Sequence, residues 1–109
     1  MLDLKRLRLL RELAARGTIG AVAEALAYSP SAVSQQLAVL EREAGVPLLE
    51  RVGRNVRLTA AGQTLVDHAD ALLERLEQAE ADLEAAGDQI SGTLRVAAIQ
   101  SAGLYLLAP

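Results

Sequence analysis

Residues Thr18 to Arg42 read TIGAVAEALAYSPSAVSQQLAVLER, and this stretch decides the fold. Its first part has the apolar spacing of a short helix. Ser29 and Pro30 follow, and because these residue types cap a helix and occupy its first turn, a second helix begins here. Two helices joined by so short a junction predict a helix-turn-helix motif over about residues 18–37.

The second helix of the motif has one apolar face and one polar face. Apolar residues recur at helical spacing along the packing face, at Val33, Leu37, Leu40 and Ala44. The small and amide side chains of the other face suit a DNA major groove, because Ser can bond several base edges and Gln can form two hydrogen bonds with adenine. The predicted DNA-reading surface consists of Ser29, Pro30, Ser31, Ser34, Gln35 and Ala38.

A short hairpin is predicted after the motif. Residues 46–51 and 55–59 flank Val52-Gly53-Arg54, a combination typical of two strands joined by a tight turn. We expect Arg54, at the turn, to enter a minor groove, and the other two arginines of the hairpin to contact phosphates. On their own, these arginines would indicate only a solvated hairpin. Next to a helix-turn-helix, they favour a DNA-binding wing. The three arginines are Arg51, Arg54 and Arg57.

A long helix is predicted after the hairpin. Thr59 has the residue type of a helix N-cap, and from Ala60 to Ala86 there is no proline and one glycine. Apolar residues advance along it by alternating steps of four and three, which is the spacing of a coiled coil. We expect this seam to pair with a second copy of the chain, although it could instead pack on the helices of the same chain. The seam consists of Leu65, Ala69, Leu72, Leu76, Ala79, Leu83 and Ala86.

The net charge of -3 conceals a segregation along the chain. Residues 1–58 hold nine basic and six acidic side chains, whereas residues 59–90 hold one and eight. A basic first part can neutralise phosphates while the acidic helix stays away from the duplex. There is no cysteine, which excludes disulfides and thiolate metal sites. Because no apolar run approaches the roughly 20 residues that a bilayer span requires, we expect a cytoplasmic protein without a membrane segment.

Catalysis finds little support in the sequence. The one histidine, His68, has Asp67 and Asp70 near it, but no second His or Cys completes a metal-ligand set. The chain has only two aromatic residues, which disfavours binding of RNA or single strands by base stacking. We therefore expect no enzyme activity, no metal and no cofactor.

Several short segments occur in a characteristic order and spacing over residues 2 to about 65. They are Gly17-Thr18, Ala21, Ala25-Leu26, Ser29 to Ser34, Leu40-Glu41, Gly45 to Leu49, Glu50-Arg51, Arg54 and Leu58 to Gly62. Together they resemble the LysR-type bacterial transcriptional regulators. The resemblance continues to Gly92-Thr93-Leu94-Arg95-Val96, which is similar to the first strand of that family's effector-binding domain.

The resemblance implies a mainly α protein with a winged helix-turn-helix, made of three helices and a β-hairpin, in residues 1–59. A dimerising linker helix over residues 60–87 and the start of a truncated effector-binding domain over residues 91–109 would follow it. Such proteins bind double-stranded promoter DNA as homodimers, or as dimers of dimers when full-length. A small-molecule co-inducer would be sensed only by a complete effector domain, because residues 91–109 are too few to bury a core.

Two questions stay open at the level of the sequence. The chain is either a fragment of a longer regulator or a natural short form. Its residues identify neither its operator nor its inducer. The competing function is a winged-helix protein-interaction module that uses the acidic coiled coil without specific DNA binding. The arginines of the hairpin and the polar reading surface favour DNA.

Overall fold

The computed structural model describes the backbone of residues 1–94 and the side chains of residues 1–87. Within them, three short helices precede a two-stranded hairpin and a long helix. In chain order the elements are α1 (Leu4–Arg16), α2 (Ile19–Leu26), α3 (Pro30–Ala44), β1 (Leu49–Val52), β2 (Asn55–Leu58) and α4 (Ala60–Leu94). The predicted fold, a mainly α winged helix-turn-helix followed by a long helix, is confirmed.

Each of the first three helices begins at a polar side chain that accepts a backbone hydrogen bond. Asp3, Thr18 and Ser29 accept N–H groups of the first turn at 2.8, 3.0 and 3.1 Å, respectively. Such caps satisfy amides that have no partner inside the helix. Pro30 is the first residue of α3, so the predicted start of the second motif helix is confirmed.

The junction between α2 and α3 turns at Ala27, whose φ of 61° lies in the left-handed region. This conformation ends α2, and the N–H of Tyr28 then donates to the carbonyl oxygen of Ala23 at 2.9 Å. Among the described residues, Ala27 is the only non-glycine with a positive φ. Three residues, Ala27 to Ser29, therefore separate α2 from α3.

The hydrophobic core lies where the three helices meet. The apolar face predicted for α3 is confirmed at Val33, Leu37 and Leu40, which are fully buried. On α1 the buried residues are Leu7, Leu9, Leu10 and Leu13, whereas Leu4 is exposed. Each buried aliphatic side chain contributes roughly 1.5–3 kcal/mol relative to exposure, so this cluster fixes the position of α3 against the other two helices.

The first turns of α4 complete this core. Val66, Ala69 and Leu73 are buried, and the half-buried Leu65 packs against the same cluster. The first compact unit runs from Met1 to Leu73 and so includes the first part of the predicted linker helix. Ala69 belonged to the predicted dimer seam, but its exposure is 0%, so it contacts its own chain.

A second unit begins at Glu74. Its described side chains, through Gly87, are all exposed except the half-buried Leu76. The helix continues to Leu94, so residues 92–94 are helical where the start of an effector-domain strand was expected. The rest of that expected domain, residues 95–109, lies outside the described residues. No helix in the described part of the chain is both long enough and apolar enough to cross a membrane.

Candidate nucleic-acid interface

The reading surface predicted on α3 faces away from the core. Ser29, Pro30, Ser31, Ser34 and Gln35 are exposed, and Ala38 is half-buried. Among the described residues, no hydrogen bond engages the side chains of Ser31, Ser34 or Gln35, whereas Ser29 serves as the helix cap. These hydroxyl and amide groups are therefore available to an external partner on the side of α3 opposite Val33 and Leu37.

Gln36, next to the reading surface, is engaged by α1. Arg6 donates from Nε to the Gln36 side-chain oxygen at 2.8 Å and from Nη1 to Glu43 Oε2 at 3.0 Å. Arg6 is only about a quarter exposed, at 24%, so its charge-assisted bonds hold α1 against α3 along two turns. This role cannot be predicted from the sequence, because a lone arginine on an amphipathic helix carries no signal for a partner thirty residues away.

The wing is the hairpin formed by β1 and β2. The antiparallel register pairs Leu49 with Leu58 and Val52 with Asn55, which leaves Gly53 and Arg54 as a two-residue turn. Gly53 has a φ of 63°, the conformation that favours glycine at the first position of such a turn. The predicted turn is confirmed, but β1 begins at Leu49 rather than at residue 46.

The three arginines of the wing are exposed but differ in their partners. Arg57 Nε donates to Glu50 Oε2 at 2.5 Å, directly across the two strands. Within the described residues, neither Arg51 nor Arg54 lies in an ion pair. Arg54 lies in the two-residue turn at the tip of the wing.

A carboxylate of α3 anchors the wing. Glu41 Oε2 accepts the backbone N–H groups of Leu48 and Leu49 at 2.8 and 3.0 Å. On the other side of the hairpin, the Thr59 hydroxyl donates to the carbonyl oxygen of Pro47 at 2.8 Å. The wing therefore has a fixed position relative to the reading helix, and Glu41 is a second positioning residue whose role the sequence analysis did not identify.

A shallow groove runs between α3 and the wing. Its lining includes Ser34 and Ala38 from the reading surface together with Glu50 and Arg51 from the wing. The structure thus brings two of the predicted recognition residues and one predicted phosphate contact into one surface. Arg54 and Arg57 are not part of this lining. Arg54 lies in the turn, and Arg57 lies opposite Glu50 on β2.

The remaining predicted seam on α4 divides between the two units. In the first unit, Leu72 is 48% exposed although its neighbour Leu73 is buried. In the second unit, Leu83 is 68% exposed, Ala79 and Ala86 are exposed, and Leu76 is half-buried. Apart from Leu65, Ala69 and the half-buried Leu76, the seam positions therefore present apolar surface that the described residues do not cover.

A helix-turn-helix whose second helix exposes a polar face, followed by an arginine-bearing hairpin, defines a winged helix-turn-helix protein. The family model described as "Bacterial regulatory helix-turn-helix protein, lysR family" matches residues 4–63, more than half of the chain. The chain belongs to this LysR family, and the resemblance recognised in the sequence is confirmed.

Individual relatives agree with the family assignment. A probable RuBisCO transcriptional regulator of Trichormus variabilis is 38% identical over 104 residues, which are 95% of this chain but 31% of that protein. The chain thus spans about a third of the length of this relative.

Solved structures show the same fold. The CbnR DNA-binding domain in a DNA complex has 31% identity and a TM-score of 0.74, covering 79% of this chain and 99% of that one. The BenM DNA-binding domain in a complex with catB site 1 DNA also has a TM-score of 0.74, at 27% identity, covering 79% and 97%.

Proposed function

We propose that this chain is a transcriptional regulator that binds specific sequences of double-stranded DNA as a dimer. The observation that carries the proposal is the exposed, unengaged polar face of α3 beside a wing anchored to the same helix. Solved relatives with this fold are complexes with DNA, and curated relatives are named as transcriptional regulators.

In the proposed complex, α3 enters the major groove. Ser31, Ser34 and Gln35 meet base edges, because hydroxyl and amide groups match the donors and acceptors presented there. Ala38 follows one turn later and suits contact with a thymine methyl group. The exposed Ser29 and Pro30 start the helix, where backbone N–H groups suit a phosphate.

The wing supplies positive charge beside the reading helix. Arg54, at the tip of the turn, enters the minor groove, where the negative potential attracts a guanidinium. Arg51 lies in the groove next to Ser34 and contacts a phosphate at the edge of the major groove. Arg57 was expected to make a similar contact, but in the free protein it is occupied by Glu50.

Dimerisation is assigned to α4. An isolated helix cannot bury its own apolar positions, so Leu72, Leu76, Ala79, Leu83 and Ala86 need a second helix to leave water. A two-fold dimer would present two α3 helices to half-sites one turn of DNA apart, roughly 34 Å, or a multiple of that spacing. Regulation of bacterial promoters would place the protein in the cytoplasm, and a co-inducer would require a complete effector domain.

The competing function, a protein-interaction module without specific DNA binding, is not favoured. It offers no reason for the polar side chains that α3 leaves unengaged, nor for the unpaired arginine at the wing tip. It also disagrees with the transcriptional regulators among the relatives.

The proposal is tested by selecting duplexes from a random-sequence library with the purified chain and then measuring binding of the selected site. Enriched sequences should share a motif with dyad symmetry. Replacing both reading residues, Ser34→Ala with Gln35→Ala, should lower the preference for that motif over mixed-sequence DNA by about tenfold or more, because each base contact contributes roughly 1–3 kcal/mol of discrimination.

The matched control for this pair is Gln78→Ala, which removes an exposed glutamine from α4, where it bonds Asp82. This variant should retain the preference of the wild-type protein. A library that shows no enrichment, or a Ser34 and Gln35 variant that discriminates as well as the wild type, would contradict reading by α3.

A further inference from the structure

Glu50 and Arg57 form an ion pair on the surface of the wing. The two residues are directly opposite in the antiparallel register, and Arg57 Nε donates to Glu50 Oε2. Both side chains are well exposed, at 68% for Arg57 and 45% for Glu50. Exposed pairs of this kind contribute little to folding stability, so the fold does not require a carboxylate at position 50.

Glu50 is also close to the surface that the proposed function assigns to DNA. It is one of the residues that line the groove shared with Ser34, Ala38 and Arg51. A carboxylate here is unexpected in a phosphate-binding surface, because its charge repels the DNA backbone and offsets that of a neighbouring cation. Glu50 therefore opposes the electrostatic contribution of the very element that carries the arginines.

We propose that Glu50 acts as an intramolecular substitute for a DNA phosphate. It occupies the Arg57 guanidinium, so that the wing contacts DNA through Arg51 and Arg54 while Arg57 remains paired within the hairpin. Glu50 is thus an affinity-limiting residue that restricts the number of phosphates the protein neutralises. This inference rests on the proposed DNA-binding function.

Counterion release gives the expected size of the effect. The affinity of a protein that neutralises Z phosphates falls with salt at a logarithmic slope of about -0.9Z, and this term dominates binding to arbitrary sequences. One withheld arginine therefore removes about 0.9 from the slope for each protomer. At roughly 0.1 M salt, the loss of one phosphate contact weakens binding about eight-fold per protomer. The weaker binding keeps the protein from being held by the large excess of non-specific DNA.

The test compares variants on a fluorescein-labelled, mixed-sequence duplex, titrated between about 50 and 200 mM salt. Glu50→Gln removes the charge and keeps the shape of the side chain. It should bind more tightly than the wild type and steepen the salt dependence by about 0.9 per protomer. Arg57→Gln should leave the slope of the wild type unchanged, because Arg57 is already occupied, and should bind no more tightly than the wild type, because it leaves the Glu50 charge unpaired. The double variant with Glu50→Gln should show no steeper slope than the wild type.

Glu12→Gln is the matched control, since it removes the same charge and frees Arg16. On α1, Arg16 Nε donates a hydrogen bond to Glu12 Oε1 at 2.7 Å. It should bind like the wild type. Equal gains in affinity for Glu12→Gln and Glu50→Gln would show that the effect comes from the net charge of the protein, and would overturn the inference. A gain that persists without Arg57 would overturn it as well, because repulsion by Glu50 alone would explain the result.

A direct readout comes from the Arg57 Nε–Hε resonance in the nitrogen-labelled protein. It should keep its position when the wild type binds DNA and move in the Glu50→Gln complex, whereas movement in the wild-type complex would overturn the inference. Normal wild-type binding with no effect of Glu50→Gln defeats this inference only. A wild-type chain that binds no duplex defeats the proposed function and this inference together.

Discussion

At Gly62 the backbone of α4 lies close to the carbonyl group of Leu48. A Cβ atom built there would lie 2.2 Å from the carbonyl oxygen of Leu48. That oxygen already accepts the N–H of Thr59 at 2.9 Å, so it is held between the end of the wing and the first turn of α4. Glycine is required here for space, not for an unusual backbone conformation.

Replacing Gly62 with alanine should lower the free energy of unfolding by at least about 1–3 kcal/mol, the usual cost of overpacking, because backbone atoms must move. Urea unfolding at a fixed protein concentration would measure it. Gly20→Ala is the matched control, since this helical glycine has nothing within 4 Å of its Cβ position. The control should stabilise the protein by about 0.4–1 kcal/mol, and equal effects of the two substitutions would contradict the close approach.

Individual residues also show what the sequence can predict. The start of α3 at Ser29 and Pro30 was predicted because capping and first-turn preferences are local properties of the residue types. The left-handed conformation of the residue that ends α2 could not be predicted in this way, because alanine is not a typical turn residue. This conformation costs a non-glycine residue roughly 1–2 kcal/mol. Ala27 adopts it because packing of α2 and α3 fixes the junction on both sides.

Among the elements, α3 and the wing behave as one recognition unit because Glu41 connects them. Its carboxylate oxygen accepts two consecutive backbone amides just before and at the start of β1. Both bonds are partly buried, where an unpaired amide costs about 1–3 kcal/mol. The orientation of the wing therefore depends on a side chain from the reading helix.

Replacing Glu41 with alanine should lower the free energy of unfolding by about 2 kcal/mol, since it leaves these two amides without an acceptor. Hydrogen exchange should show faster exchange of the Leu48 and Leu49 amides than of the α1 amides. Glu24→Ala, at an exposed position of α2, is the control and should change neither quantity appreciably. Unaltered protection of Leu48 and Leu49 would mean that Glu41 does not anchor the wing.

The predicted seam of α4 shows why the buried face of a helix can be predicted only in part from its sequence. Gly62, Val66, Ala69 and Leu73 follow one heptad frame, which the structure turns toward its own core. The predicted seam uses Leu65 and Leu72, the residues directly before Val66 and Leu73, and shares Ala69 with the buried frame. Periodicity identifies both frames but not which surface each one contacts, and that depends on the tertiary packing of α4 against the three-helix core.

At the scale of the whole molecule, charge is distributed unevenly along the chain. The net charge of residues 1–58 is +3, and that of residues 59–90 is -7. The positive part contains the reading helix and the wing, which suits phosphate contact. The acidic part contains most of α4, so a dimer formed through this helix must overcome like-charge repulsion by burying apolar side chains.

Leu83 is the most exposed leucine of that predicted seam, at 68%, and is therefore the residue whose burial should contribute most to association. Burial of a leucine contributes roughly 1.5–3 kcal/mol, and a symmetric dimer contains it twice. Replacing it with glutamate removes this contribution and adds negative charge to an acidic helix. The dissociation constant of the dimer should rise by well over tenfold, as measured by sedimentation equilibrium.

The control for Leu83→Glu is Gln78→Glu, which adds the same charge at an exposed position outside the seam and should leave the dimer largely intact. Folding of the first unit should be unaffected in both variants, because neither residue belongs to the core of Met1–Leu73. Since two joined reading helices bind a symmetric site far more tightly than one, Leu83→Glu should weaken binding to a dyad-symmetric duplex much more than binding to a single half-site. A wild-type chain that sediments as a monomer at micromolar concentration, or equal losses on both duplexes, would exclude dimerisation through α4 as the source of affinity.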